Sequence, residues 1–191
     1  MSQILQDHIR KFIAVNDEDL SSILGYFKII HSKKKEDLLT EGQICKFNYF
    51  VSSGCLRMFF IDEKGVEKTT QFALEHWWLA DYFSFQNQTA SSFCIQAVEK
   101  SEVWALGLQE QENMLRKFPQ MERYFRMVHQ TANAATQVRI RYLYDFSREE
   151  NYRYFSANFP QFIQRVPQYL LASYLGMTPE YLSELRARII S

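Results

Sequence analysis

The stretch Val166–Ile190, VPQYLLASYLGMTPEYLSELRARII, decides the fold of the carboxyl-terminal part of this chain. Its pattern predicts two short helices joined by a tight turn. Gly176 stands at the turn, because glycine enters a left-handed backbone conformation without steric cost. Thr178 is expected to cap the second helix through its hydroxyl, and Pro179 suits the first helical position, which needs no backbone N–H. These features favour a helix-turn-helix.

The second helix of this stretch is predicted to have two distinct faces. Leu182, Leu185 and Ile189 recur at helical spacing and are expected to pack inward. The opposite, polar face carries Glu180, Ser183, Glu184 and Ala187, with Arg188 at its edge. An ordinary helical hairpin would have the same pattern, so this stretch alone leaves DNA binding and simple packing both open.

The charge of the chain gives only a weak signal for nucleic acid. The 191 residues carry no net charge, because 22 lysines and arginines balance 22 aspartates and glutamates. DNA-binding domains usually carry a basic patch. Residues 139–191 contain seven arginines, no lysine and five acidic residues, which is an excess of two positive charges.

The cysteines and the hydropathy of the chain indicate the cellular compartment in which the protein is expected. Cys45, Cys55 and Cys94 are far apart and lack the spacing of a metal site, so we expect buried free thiols in a reducing environment. No apolar run approaches the roughly 20 residues of a membrane span, and the polar amino terminus is unlike a signal peptide. The sequence therefore predicts a cytoplasmic protein without a membrane partner.

The first two thirds of the chain change from helical to strand patterns and back. Ile4–Phe27 has helical periodicity, with Asn16 or Asp17 as a cap. From Leu38 to about Leu106, short apolar runs alternate with turn signals such as Asp62–Gly65, which is typical of an antiparallel sandwich or roll. Within this region His76–Phe93 is dense in aromatic residues without a clear period. Two interpretations stay open for it: it lines a pocket, or it is a loop that plugs the roll with its own side chains.

A long helix is predicted from about Pro119 to Phe146, after a short helix over Glu110–Phe118. Seven-residue spacing suits a helix that packs along a parallel partner, and small alanines allow a close approach. We favour a homodimer over packing within the chain. The residues that we expect at its interface are Met121, Phe125, Val128, Ala132, Ala135, Val138 and Tyr142.

The polar run Arg148–Asn151 is the best candidate for a domain boundary. We therefore predict three parts: a helical lead-in with a β-roll over residues 1–118, a dimerisation helix over 119–147 and a helix-turn-helix domain over 148–191. An amphipathic helix or pair is expected over Tyr152–Arg165, interrupted at Pro160. Since the chain ends soon after the second helix of the helix-turn-helix, little or no β-wing is expected.

This order of parts resembles the Crp/Fnr family of bacterial transcription regulators. Three segments carry the resemblance: Thr40–Phe72, the long helix, and Leu170–Arg186. The segment ASYLGMTPEYLS resembles the corresponding sequence in a branch of the family that is common in Bacteroidetes. The resemblance implies an α+β fold with an antiparallel, jelly-roll-like β-roll of the cyclic nucleotide-binding type. It also implies a homodimer that binds double-stranded DNA and contacts RNA polymerase.

The resemblance also locates an effector pocket, and there the chain departs from the family. Members that bind cyclic AMP hold its phosphate with a Gly-Glu pair and an Arg-Ser pair. The corresponding residues here are Ala80 and Asp81 in one pair and Ser91 and Ser92 in the other. Because the arginine is missing, we predict that cyclic AMP does not bind in the family's manner. A different effector or none is expected; Arg57 is a substitute cation, and Trp78 and Phe83 complete the pocket candidates.

For DNA, the resemblance assigns base readout to Glu180, Ser183 and Glu184 of the second helix. A glutamate can accept a hydrogen bond from cytosine N4. Phosphate anchoring is assigned to Arg165, Gln168, Thr178, Tyr181, Arg186 and Arg188. Family members tend to place basic residues where this chain has Glu184 and Ala187, so a rival hypothesis is a helix-turn-helix that has become a protein-docking surface.

An enzyme, a metal site and a haem are not predicted. The chain has no pair of carboxylates, no Ser/His pair and no ligand cluster with usable spacing. His76 beside Trp77 is a lone histidine and therefore weak evidence for a haem ligand. We predict no cofactor.

Overall fold

The structure, a computed structural model, describes residues 3–190, with side chains described up to Arg188. It divides into two compact units. The first comprises the chain up to Phe60 together with Thr70–Gln130, and the second comprises Ile61–Thr69 and the chain from Thr131 onward. The predicted inward packing of Ile189 lies outside the described side chains. The three-part domain division stays a prediction.

The first unit opens with two helices, α1 (Gln3–Arg10) and α2 (Asp17–Leu24). Asn16 caps α2 as predicted, since its side chain accepts a hydrogen bond of 2.7 Å from the backbone N–H of Asp19. The acidic residues that follow it lie at the positive end of the helix dipole, where they are stabilising.

Eight strands form two antiparallel four-stranded sheets. The strands are β1 (Lys28–Ser32), β2 (Asp37–Leu39), β3 (Phe47–Ser53), β4 (Leu56–Ile61), β5 (Glu67–Ala73), β6 (Trp78–Leu79), β7 (Cys94–Ala97) and β8 (Ser101–Gly107). One sheet has the order β1-β8-β3-β6 and the other the order β2-β7-β4-β5. The predicted antiparallel roll is therefore confirmed. Ser52 and Ser53, expected in a turn, extend β3, and the chain reverses at Gly54, whose φ is +99°.

Two apolar clusters stabilise the first unit. One fills the space between the sheets and includes Val51, Leu56, Ile95 and Val103. The other lies on the outer face of the first sheet, where α1 and α2 cover residues such as Phe50 and Trp104. Alternate residues of β3 and β8 thus face different cores, which explains why both strands are buried almost throughout. All three cysteines are buried free thiols, as predicted.

His76–Phe93 contains regular structure that its sequence did not indicate. Besides β6, it forms a short helix, α3 (Tyr82–Asn87). Asp81 starts this helix, because its carboxylate accepts hydrogen bonds from the N–H groups of Phe83 and Ser84 at 3.1 and 3.2 Å. The segment is too short to express a helical period, so side-chain capping rather than periodicity defines it.

Two helices follow the strands, α4 (Leu108–Lys117) and the long α5 (Gln120–Asp145). The predicted bounds of both are close to those observed. The first turns of α5 belong to the first unit, where Met121, Tyr124 and Phe125 are buried.

The second unit consists mainly of short helices after α5. These are α6 (Arg148–Asn158), α7 (Pro160–Arg165), α8 (Gln168–Tyr174) and α9 (Pro179–Ile190). The prediction of a polar break at Arg148–Asn151 was wrong: these residues form the first turn of α6. Ser147 and Glu150 form a reciprocal capping box there, which explains the cluster of polar residues. Among the described residues, no strand follows β8.

No helix in the described part of the chain is both long and apolar enough to cross a membrane.

Candidate nucleic-acid interface and effector pocket

The helix-turn-helix of α8 and α9 is formed by the local chemistry that the sequence predicts. Gly176 has a φ of +71°, and an added Cβ would meet nothing within 4 Å, so its requirement is conformational rather than steric. The N–H of Met177 returns to the carbonyl of Ala172 at 2.9 Å and closes the turn. Thr178 then caps α9, because its hydroxyl accepts the N–H of Tyr181 at 3.2 Å.

The two predicted faces of α9 are present. Leu182 and Leu185 are fully buried against the neighbouring helices. The exposed residues are Thr178, Glu180, Ser183, Glu184, Ala187 and Arg188. Tyr181 and Arg186 are half-buried at the borders of this face. We call these eight residues the reading face. Arg165 and Gln168, at the end of α7 and the start of α8, are also half-buried.

A further cation lies beside the reading face. The guanidinium of Arg148, in the first turn of α6, lies 5.7 Å from the centre of the Tyr181 ring. The sequence does not single out Arg148, because its polar run suggests a domain boundary rather than a binding residue. A guanidinium next to a helix end is suited to a phosphate oxygen.

The pocket candidates Asp81 and Ser91 contact each other. The Ser91 hydroxyl donates a hydrogen bond of 2.7 Å to one carboxylate oxygen of Asp81, whose other oxygen caps α3. Both side chains are buried. The carboxylate therefore has protein partners for both oxygens and offers a phosphate only negative charge.

Arg57 does not supply the missing cation. It is buried in β4, and its Nε and Nη2 donate to Gln96 Oε1 at 3.1 and 2.7 Å. Gln96 in turn donates to Asp37 at 2.9 Å, while the guanidinium lies 4.0 Å from the Phe59 ring centre. Arg57 thus belongs to a network across β2, β7 and β4.

The remaining pocket candidates lie in different environments. Trp78 is buried in the cluster under α1 and α2, whereas Ala80 belongs to the cluster between the sheets. Phe83 is 74% exposed, and Ser92 is exposed as well. Among these candidates, Asp81 and Ser91 are in side-chain contact, and Phe83 meets Asp81 only through its backbone N–H.

A polar chain that the sequence did not indicate lies next to Trp78. The Trp78 indole N–H donates to the Tyr124 hydroxyl at 2.9 Å, and this hydroxyl lies 2.8 Å from His8 Nδ1. Which group donates in the bond between Tyr124 and His8 depends on the tautomer of His8. Burial, followed by the charges of His76 and Lys11, lowers the pKa of His8 to about 4. Burial also raises the pKa of Tyr124.

An open cleft of about 280 Å³ lies between α3, α4 and the start of α5. Its walls are Tyr82, Phe85, Gln86, Gln111 and His129. The edge of the His129 ring meets Tyr82 at 4.9 Å between centroids, and burial lowers the pKa of His129. No arginine or lysine is among these walls, so the cleft suits a neutral group better than a phosphate.

The predicted dimer face of α5 divides into two parts. Met121 and Phe125 are buried in the core of the first unit, and Val128 packs against it. Residues 131–138, which include Ala132, Ala135 and Val138, are exposed without interruption. Tyr142 stacks on Phe146 at 4.5 Å within the second unit. Ile140, Leu143 and Tyr144 are exposed too, outside the predicted seam.

Comparison with known proteins agrees with this architecture. Residues 29–118 match the family model of the cyclic nucleotide-binding domain. These residues, with their two sheets and short α3, therefore form a domain of that class. No curated protein matches the sequence significantly.

Solved structures resemble the chain over most of its length. FixK2 from Bradyrhizobium japonicum has a TM-score of 0.70 at 14% identity, covering 85% of this chain and 84% of that one. The c-di-GMP-responsive global regulator CLP from Xanthomonas campestris has a TM-score of 0.70 at 10% identity, covering 91% of each chain. A protein assigned to the Crp/Fnr family from Eubacterium rectale has a TM-score of 0.67 at 14% identity, covering 91% of this chain and 83% of its own.

The chain therefore has the fold of the Crp/Fnr regulators, as its sequence predicts. At these identities the likeness defines the fold alone. The assignment to a Bacteroidetes branch stays a prediction.

Proposed function

We propose that the protein is a homodimeric, DNA-binding transcription regulator of the Crp/Fnr type. The observation that carries this proposal is the reading face of α9. Glu180, Ser183 and Glu184 of this face are exposed, whereas the apolar residues Leu182 and Leu185 of the same helix are buried. A helix with this division can enter the major groove and present side chains to base edges.

In this proposal, Glu180, Ser183 and Glu184 contact bases, and the arginines contact phosphates. Arg165, Gln168, Thr178, Tyr181, Arg186 and Arg188 keep the roles that the family resemblance implies, and Arg148 joins them. Few cations face the DNA, so we expect modest affinity and a shallow dependence on salt. Contact with RNA polymerase stays a prediction without an assigned residue.

The homodimer is supported by the exposed half of α5. The part of α5 beyond the first unit is short enough to be marginal as an isolated helix in water, because most helical stability in proteins comes from tertiary packing. Ala132, Ala135 and Val138 are exposed, so the described chain does not bury them. A second copy of α5 would cover Ala132, Ala135 and Val138 and would place two reading faces about one DNA turn apart.

The roll is proposed to act without cyclic AMP. Asp81 and Ser91 satisfy each other, and Arg57 is held by Gln96, so no described cation is directed to the position of a cyclic phosphate. The uncharged cleft beside His129 is the better place for a small neutral effector.

A protein-docking helix-turn-helix is the second candidate, because two acids lie on the reading face. The experiment that separates the two is selection of DNA fragments from a genomic promoter pool by the full-length protein at physiological salt. Enrichment of fragments that share a two-fold symmetric motif supports the regulator. Uniform recovery that disappears with salt contradicts sequence-specific binding.

A further inference from the structure

The outer edge of β5 is paired by a side chain of the helix-turn-helix. β5 is the last strand of its sheet, so one of its edges has no neighbouring strand. Its residues Glu67 to Thr69 belong to the second unit. There, the N–H of Thr69 donates to the Ser173 hydroxyl at 2.9 Å, and this hydroxyl donates to the carbonyl of Glu67 at 2.9 Å.

The Ser173 hydroxyl thus makes the two hydrogen bonds that a residue of a neighbouring strand would make. Residues two apart on a strand direct their backbone groups to the same edge, so Glu67 C=O and Thr69 N–H lie side by side. A serine can donate and accept at once. Thr69 is buried, which makes an unpaired N–H there costly.

We propose that Ser173 is a positioning residue: it fastens α8 to β5 and so holds α9 in the orientation in which it meets DNA. β5 continues from Thr70 into the first unit. The anchor therefore joins α8 to the part of β5 that belongs to the second unit.

A second contact holds the neighbouring residue of α8. Arg139 Nη2 donates to the carbonyl of Tyr174 at 3.1 Å, and its guanidinium lies 3.9 Å from the centre of the Tyr174 ring. Ser173 and Tyr174 are the last two residues of α8, directly before the turn. The end of the helix that sets the direction of α9 is therefore fixed from two sides, by β5 and by α5.

The anchored arrangement presents the reading face rather than covering it. Glu180, Ser183 and Glu184 are exposed while both bonds of Ser173 are formed. Loosening α8 would leave more conformational freedom to lose on binding, which lowers affinity. The DNA part of this inference rests on the proposed function; the anchor itself does not.

The test uses three variants of the full chain: Ser173→Ala, Ser173→Thr and Ser156→Ala. Ser173→Thr keeps a hydroxyl that can make both bonds. Ser156 is the matched control, since its hydroxyl donates to the Arg153 carbonyl within α6. Hydrogen exchange of the Thr69 amide and affinity for a selected DNA fragment are measured for each.

We expect Ser173→Ala to speed exchange at Thr69 and to weaken specific DNA binding, each about tenfold. Ser173→Thr and Ser156→Ala should stay near the parent protein. Unchanged exchange in Ser173→Ala, or equal acceleration in Ser156→Ala, would overturn the anchor. Faster exchange with unchanged or tighter DNA binding would overturn the positioning role. If the parent protein selects no DNA, the proposed function fails, and loss of Thr69 protection in Ser173→Ala would still support the anchor.

Discussion

The hydroxyl of Ser91 donates a hydrogen bond of 2.7 Å to the buried carboxylate of Asp81. The same carboxylate accepts two N–H groups at the start of α3. This pair occupies the positions at which the family resemblance places phosphate-binding residues. Here it stabilises the loop between β6 and β7.

Replacing Asp81 by alanine should therefore destabilise the fold. The loss of a helix cap and of a buried acceptor is expected to lower the free energy of unfolding by about 2 kcal/mol. Urea denaturation measures this change. Ser92→Ala, at the exposed neighbouring position, is the control and should change stability by less than about 0.5 kcal/mol.

Cyclic AMP should give no binding signal in isothermal titration calorimetry with the full-length protein. The physical reason is that Asp81 repels a phosphate and that Arg57 is held by Gln96. A dissociation constant of about 1 µM or tighter would contradict this expectation.

The proposed dimer predicts that Ala135→Glu produces monomers. The new carboxylates would meet across the seam, where two backbones approach closely, and like charges repel there. Light scattering after size exclusion should then give 22.8 kDa in place of twice that mass. Asn133→Glu adds the same charge to the opposite side of α5 and should leave the dimer intact. A parent protein that is already monomeric would refute the dimer.

The free energy of unfolding should decrease as the pH is lowered, because His8 becomes protonated. Its pKa is lowered from 6.5 to about 4 in the fold, so the unfolded chain binds the proton more tightly between these values. Stability is thus fully present above about pH 6.5 and decreases by up to about 3 kcal/mol as the pH falls to 4.

The control for this prediction removes the titrating group but keeps a hydrogen-bond partner for Tyr124. His8→Gln should unfold with a weaker pH dependence than the parent protein between pH 4 and 6.5. Parallel curves for His8→Gln and the parent would contradict a role for His8.

The fold could be predicted from the sequence wherever local signals define it. The apolar period of α5, the Asn16 cap and the Gly176 turn act within a few residues, and each is present. The polar chain of Trp78, Tyr124 and His8 could not be predicted in the same way. His8 and Tyr124 contact each other across more than a hundred residues, and nothing in the spacing of either indicates it.

The seven-residue period of α5 illustrates a second limit. Met121 and Phe125 follow the same pattern as Ala132 and Ala135, yet the first pair is buried and the second is exposed. A periodic apolar stripe indicates that another surface packs against it, but it does not indicate whether that surface belongs to the same chain or to a second copy. Similarly, the polar run after α5 suggests a domain boundary, because a capping box and a loop between domains have similar compositions.

The most direct test of sequence-specific DNA binding is fluorescence anisotropy with a selected promoter fragment and a scrambled one at about 150 mM salt. We expect the full-length protein to prefer the selected fragment by about a thousandfold or more. We also expect Glu184→Arg to change this preference at least tenfold, because the proposed function places Glu184 against the bases. Equal, salt-sensitive affinity for both fragments, unaltered by Glu184→Arg, would contradict the proposed regulator and favour a protein-docking helix-turn-helix.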